Sequence, residues 1–152
     1  MSVFDRLQDK LTAAGVQFSV TRHEPVFTSE QAAAIRGVSL ASGAKALVVK
    51  AGEAFVMLII PADRKLDSKK ARAAFGVKAI RFATKDEVLQ QTSLEPGSIP
   101  PFGSLFGLTT YVDPALGENE SINFNAGDHA ISIQMRYDAF VAAEQPRTAI
   151  LT

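Results

Sequence analysis

The chain is predicted to be α+β, one domain with a mixed, mostly antiparallel central sheet and surrounding helices. Two apolar stretches, Ala44 to Lys50 and Glu53 to Ile60, flank Ala51-Gly52 and so predict a hairpin, whose second strand is apolar on both faces and therefore central. Strict alternation from Ala130 to Arg136 places Ile131, Ile133 and Met135 on one face of a further strand. Helix-capping signals fall between the strands at irregular intervals, and such a mixture points to α+β rather than to a regular strand-helix repeat.

The elements follow in order. Val3, Phe4, Leu7 and Leu11 have helical spacing, and Gly15 is placed to end that helix. Gln17 to Thr21 alternates as a short strand. Thr28-Ser29-Glu30-Gln31 is a Thr-x-x-Gln capping box before Ala32 to Arg36, with Gly37 as the stop. Past the hairpin, Asp67 caps a helix running to Phe75 and closed by Gly76, and Lys78 to Ala83 reads as a strand. Thr84-Lys85-Asp86-Glu87 is a second capping box, opening a helix through Gln91. Strands are predicted at Gly107 to Val112 and Ser121 to Asn125, and a last short helix at Asp138 to Ala143.

Composition bounds the function. At 152 residues the chain suits a single domain spanning 1–152, and 47% hydrophobic with 21% charged residues is ordinary for a folded protein. Cysteine is absent, which excludes a thiolate nucleophile, a disulfide and a cysteine metal site and fits a cytoplasmic protein. The N-terminus lacks the pattern of a signal peptide, and the longest apolar run, Ala54 to Pro61, is too short to span a membrane. Net charge is zero, yet residues 63–85 hold eight basic and two acidic side chains while residues 86–152 hold two and nine. The basic middle suits either a solvated helix face or a small phosphate-binding footprint.

The most unusual segment is Glu95-Pro96-Gly97-Ser98-Ile99-Pro100-Pro101-Phe102-Gly103, with three of the seven prolines and two of the ten glycines. Proline fixes φ and glycine permits close approaches, so this loop holds a shape, and Ile99 and Phe102 suit it to a pocket wall. Lys45 shares a strand face with Leu47 and Val49, where its stem either snorkels to water or presents a cation at a pocket mouth. His23 and His129 have no metal-site spacing, and no metal or cofactor is called for. Asn125-Ala126-Gly127-Asp128-His129 reads as a polar hairpin turn, or as a group in which Asn125, Asp128 and His129 line the same pocket as the loop. Neither a Gly-x-Ser-x-Gly elbow nor a phosphate-binding Gly-x-x-x-x-Gly-Lys loop is present.

These segments, in this order, resemble the YbaK/ProX family of trans-editing aminoacyl-tRNA deacylases, related to the editing domain of bacterial prolyl-tRNA synthetases. The resemblance spans nearly the whole chain: His23-Glu24-Pro25-Val26-Phe27-Thr28, Gly43 to Lys50, Ile60 to Asp67, and above all Leu94 to Gly103, which is similar to a family loop of the form Gly-x-x-x-Pro-x-Gly. It implies hydrolysis, by water, of the ester joining a wrong amino acid to the 3′-terminal adenosine of a tRNA, and an acceptor end as partner. Lys45 matches the family's functional lysine, which positions the ester rather than attacks it. The implied substrate-binding set is His23, Thr28, Gly97, Ser98, Pro101, Phe102, Gly103, Asn125, Asp128 and His129, with loop N–H groups near the ester carbonyl and a ribose hydroxyl of the substrate helping to activate the water.

Pro100 stands where the family loop often has a small hydroxyl residue, and Asn125 where many ProX-like members have histidine. Small side chains, alanine, serine or threonine, are the expected substrates, since a pocket separates single methylenes only weakly. Two other readings use the same pocket: a non-catalytic aminoacyl or nucleotide-binding module associated with a synthetase, and a hydrolase of unrelated small esters.

Overall fold

The computed structural model describes all of residues 1–152. The predicted α+β class is observed, with the strands divided between two sheets. Helix α1 (Val3–Ala13) begins in a reciprocal capping box between Ser2 and Asp5 and buries Phe4, Leu7 and Leu11. Strand β1 (Phe18–Arg22) pairs antiparallel with β7 (Ile131–Arg136), which pairs in turn with β6 (Ser121–Asn125). Helix α2 (Ser29–Arg36) lies between β1 and the hairpin of β2 (Ala44–Ala51) and β3 (Ala54–Pro61). The second sheet has the order β4-β2-β3-β5-β8, where β4 is Ile80–Phe82, β5 is Thr110–Val112 and β8 is Arg147–Thr148. A parallel bridge between Gly43 and Asn123 joins the sheets. Helices α3 (Ser68–Phe75), α4 (Lys85–Thr92) and α5 (Tyr137–Glu144) complete the fold.

The hairpin turn is Gly52-Glu53 rather than Ala51-Gly52. Ala51 pairs with Ala54, and Gly52 at the first loop position has φ +60°, the left-handed conformation that a two-residue hairpin of this kind needs. The Thr28 box is only half formed: Thr28 Oγ1 accepts from Gln31 N, but Gln31 Oε1 accepts from the Phe27 N–H instead of that of Thr28. Thr84 and Glu87 make the full box. Strand β8 and three short 3-10 turns, at Leu40–Ser42, Gly103–Phe106 and Pro114–Glu118, had no signal in the sequence.

Strand β3 is central, as its apolar run requires, and the two faces of its sheet carry two separate cores. One face gives Val48, Met57 and Ile59 to the larger core, shared with Ile122, Phe124, Ile133 and Met135 of the three-stranded sheet. The other gives Val49, Leu58 and Ile60 to a smaller core under Ala71 and Leu151. Burying side chains of this size is worth roughly 1.5–3 kcal/mol each, so β2 and β3 are held firmly from both sides. That rigidity matters because β2 is only half covered along its outer edge. β4 pairs with Val49, Lys50 and Ala51 alone, leaving the Ala44 to Leu47 half without a strand beside it. No helix is long and apolar enough to cross a membrane.

Candidate active site

The open half of β2 forms one wall of a cleft of about 670 Å³, a volume typical of ligand sites. Gly43 to Val48 line it consecutively, as expected where a strand exposes its edge. The Val48 carbonyl accepts from Ala83 N at 3.0 Å, and strand groups alternate sides with a period of two. Ala46 therefore points its N–H and C=O the same way, into the cleft. The opposite walls come from α2 and from Pro96, Gly97 and Ile99 of the proline-rich loop, with Asn123 and Asn125 between them. Phe27 and Phe82, 70% and 58% exposed, stand on the lining as two uncovered aromatic rings.

Lys45 lies on this cleft, exposed, and shares its strand face with Leu47 and Val49 as expected. Its ammonium makes no hydrogen bond or ion pair, so the full charge is available to a ligand. The rest of the lining holds Arg36, Arg64 and Lys65 against the carboxylates of Glu30 and Asp63, which biases the cleft toward anions. No three His, Cys, Asp or Glu side chains gather closely enough to hold a metal ion.

The loop presents backbone donors. Gly97 N–H and Ile99 N–H have no partner anywhere in the chain, whereas the intervening Ser98 N–H is spent on the Glu95 carbonyl at 3.2 Å. Gly97 has φ +91°, a conformation costly for any residue with a side chain, and a Cβ there would also meet His129 Cε1 at 3.4 Å. The Asn125 to His129 turn supports the loop from behind: Asn125 Nδ2 donates to Gly97 O at 2.8 Å and Gly127 N to Ser98 O at 2.9 Å.

Of the catalytic and substrate-binding residues expected from the sequence, Lys45, Thr28, Gly97 and Asn125 line the cleft, and so does Ile99 of the expected pocket wall. The others do not. Ser98 is buried with its hydroxyl donating to Glu95 O. Phe102 has no exposure and packs edge-on against Phe140 at 5.4 Å, because the loop turns inward after Ile99 and delivers this ring to the main core. Pro101 is buried beside it, and Gly103 donates its N–H to Thr110 Oγ1 at 2.9 Å, so close that a Cβ would stand 2.5 Å from that oxygen. Pro100 is also buried off the cleft, whereas Asn125, the other expected departure, lines it.

Asp128 serves the hairpin, its Oδ1 accepting from Ala130 N at 2.7 Å. His129 donates from Nδ1 to the Val26 carbonyl at 3.1 Å, stacks on Phe27 at 4.7 Å and has Nε2 3.6 Å from Glu95 Oε2. His23 sits behind the wall, against Ser132 Oγ at 2.7 Å. Sequence reasoning missed Arg36, which reads as an ordinary basic residue at a helix C-terminus. It also missed the open strand edge and the free loop N–H groups, which are backbone features that no residue type announces.

Comparison with known proteins agrees with this geometry. The family profile described as "Aminoacyl-tRNA editing domain" matches residues 23–143. The Multifunctional Ser/Thr-tRNA deacylase ProXp-y of Escherichia coli (strain K12) is 34% identical over 146 residues, covering 93% of this chain and 87% of that protein. A proline–tRNA ligase of Bacillus subtilis (strain 168) is 31% identical over 110 residues, 70% of this chain but 20% of the ligase. A solved structure provisionally assigned as a trans-editing enzyme for prolyl-tRNA synthetase superposes with a TM-score of 0.85, covering 100% of this chain and 98% of that one at 22% identity, a likeness of fold. With the profile matching residues 23–143, most of its length, the chain belongs to the aminoacyl-tRNA editing domain family.

Proposed function

We propose that this chain hydrolyses the ester joining a small, wrongly attached amino acid to the 3′-terminal adenosine of a tRNA. It acts in the cytoplasm on the free acceptor end, residues 1–152 working as one editing domain. The observation that carries this reading is a single cleft lined by Lys45, whose ammonium has no internal partner, and by Gly97 and Ile99, whose N–H groups have none in the chain. Lys45 supplies a cation for the phosphate beside the terminal adenosine and holds the ester in place. The Gly97 and Ile99 N–H groups lie on the loop that faces it and are free to receive the oxyanion as water adds to the carbonyl. A donor of this kind is worth about 3–4 kcal/mol in well-studied hydrolases.

A ribose hydroxyl of the substrate helps to activate the water. Thr28 and Asn125 contact the bound group, His23, Ser98, Asp128 and His129 hold the walls, and Pro101, Phe102 and Gly103 pack in the core behind them. The Escherichia coli relative is described as a Ser/Thr-tRNA deacylase, which supports testing serine and threonine first and alanine beside them.

A panel of mischarged tRNAs tests the reading, with wild type compared against Lys45→Ala. At least one small aminoacyl ester is expected to be hydrolysed, and the substitution to remove most of that activity. Binding without turnover across the panel would overturn it in favour of a recognition module. Cleavage of free amino acid esters as fast as charged tRNA would overturn it in favour of a general esterase.

A further inference from the structure

Arg36 differs from every other cation of the cleft in being held inside the protein by neutral groups. From the last turn of α2 its Nε donates to Ser132 Oγ at 2.8 Å and its Nη2 to Asn125 Oδ1 at 2.8 Å. It forms no ion pair with a carboxylate, and burial lowers its pKa to about 10. A guanidinium withdrawn from water without a counter-charge is costly unless its acceptors are well placed. Both acceptors here are fixed by further bonds.

Ser132 is oriented by His23. The His23 Nδ1–H donates to the Glu24 carbonyl at 2.7 Å, since a carbonyl can only accept, and Nε2 on the other side of the ring is hydrogen-bonded to the Ser132 hydroxyl at 2.7 Å. Asn125 is oriented by the same logic. A guanidinium only donates and a carbonyl only accepts, so Oδ1 must face Arg36 and Nδ2 must face Gly97 O, 2.8 Å away. An unbroken chain of donors and acceptors thus runs from Glu24 through His23, Ser132, Arg36 and Asn125 to the proline-rich loop.

The prolines of that loop fix its shape but not its place. From Pro96 to Ile99 it is tied to the rest of the fold at two carbonyls, Gly97 O by Asn125 and Ser98 O by Gly127 N. We infer that Arg36 is a positioning residue, which, through Asn125, sets where the Gly97 and Ile99 N–H groups point in the cleft. Its catalytic consequence rests on the proposed deacylation, whereas the placement of the loop is a property of the fold alone.

The test is a double-mutant cycle on deacylation with Arg36→Met, Asn125→Ala and the pair. Misplacing a reacting geometry by about 1 Å can cost on the order of a hundredfold, so each single variant should lose up to about that factor in kcat with a much smaller change in KM. The double variant should be no slower than the slower single, because both break one chain. Independent, multiplying losses would overturn the inference.

Amide NMR resonances of Gly97 and Ile99 give a readout that needs no activity. They should move in Arg36→Met while those of Met57 and Leu116 in the core stay in place, and unmoved loop resonances would overturn the inference. If Arg36→Met does not fold, Asn125→Asp serves, since it keeps the acceptor for Arg36 but loses the donor to Gly97 O. That variant should keep its melting temperature and still show the loop shifts. An inactive wild type would sink the deacylase reading and leave the NMR arm to decide on Arg36.

Discussion

Removing the Lys45 ammonium should strip the cleft of one free positive charge and leave the fold intact. The side chain is exposed and makes no internal bond, so Lys45→Ala breaks nothing in the protein, and stability should stay within about 0.5 kcal/mol of wild type. The functional cost follows from Coulomb's law. A phosphate 4 Å from the ammonium is attracted by about 1 kcal/mol in bulk water and about 4 kcal/mol at an effective dielectric of about 20. The open position of Lys45 favours the lower half of that range, which corresponds to a loss of roughly fivefold to seventyfold in kcat/KM. The charge itself leaves a separate signature. One phosphate contact to a single strand contributes about 0.7 to the slope of log affinity against log salt. Deacylation measured over a series of salt concentrations should therefore show that slope reduced by about 0.7 in Lys45→Ala and preserved in Lys45→Arg. Activity lost with an unchanged slope would refute the reasoning, because Lys45 would then be acting on the ester and not on a phosphate.

Gly103→Ala places a Cβ 2.7 Å from the Leu108 carbonyl, which is backbone and cannot swing away, as well as 2.5 Å from Thr110 Oγ1. Overpacking of this kind costs about 1–3 kcal/mol, to be read as a fall in melting temperature, while activity per folded molecule stays near wild type because Gly103 lies off the cleft. An unshifted melting temperature would count against the packing. Asp113 is the second case. Burial raises its pKa, but donors from Ala115, Leu151 and Thr152 outweigh burial and hold the carboxyl below its ordinary value. Its stabilisation is therefore present above the unfolded carboxylate pKa of about 3.9 and is lost as pH falls through the lower folded value. Denaturant melts of wild type and Asp113→Asn should differ at neutral pH and converge in acid, and a gap independent of pH would exclude this account.

Much of the fold was legible because local chemistry and burial agreed. Asp67 and Thr84 announced helix starts that both form, and the apolar run of β3 announced a strand with cores on both faces. The split of the strands into two sheets was not legible, since the single bridge from Gly43 to Asn123 is a long-range contact between residues without special chemistry. In the loop, the sequence suggested a rigid wall, and half of it is one. The same apolar character that suits Ile99 to a pocket draws Phe102 into the core, and only the three-dimensional path separates the two.

The site shows why a search for acid, base and nucleophile finds so little here. One of its walls is the uncovered edge of β2, its donors are loop amides, and the side-chain cations on it with no internal partner, Lys45 and Lys65, are lysines. Backbone groups carry no residue identity, so their traces in the sequence are indirect: a glycine where φ must be positive, prolines where the loop must not bend, and an apolar strand stiff enough to leave its edge open. The side chains that matter most are then those that fix the backbone. Asn125 is such a residue, bound at one end to Arg36 and at the other to Gly97 O. It lines the cleft, whereas Pro100 is buried away from it. A substitution at Asn125 should therefore change substrate preference partly by moving loop donors against β2, and not only through the group it presents to the cleft.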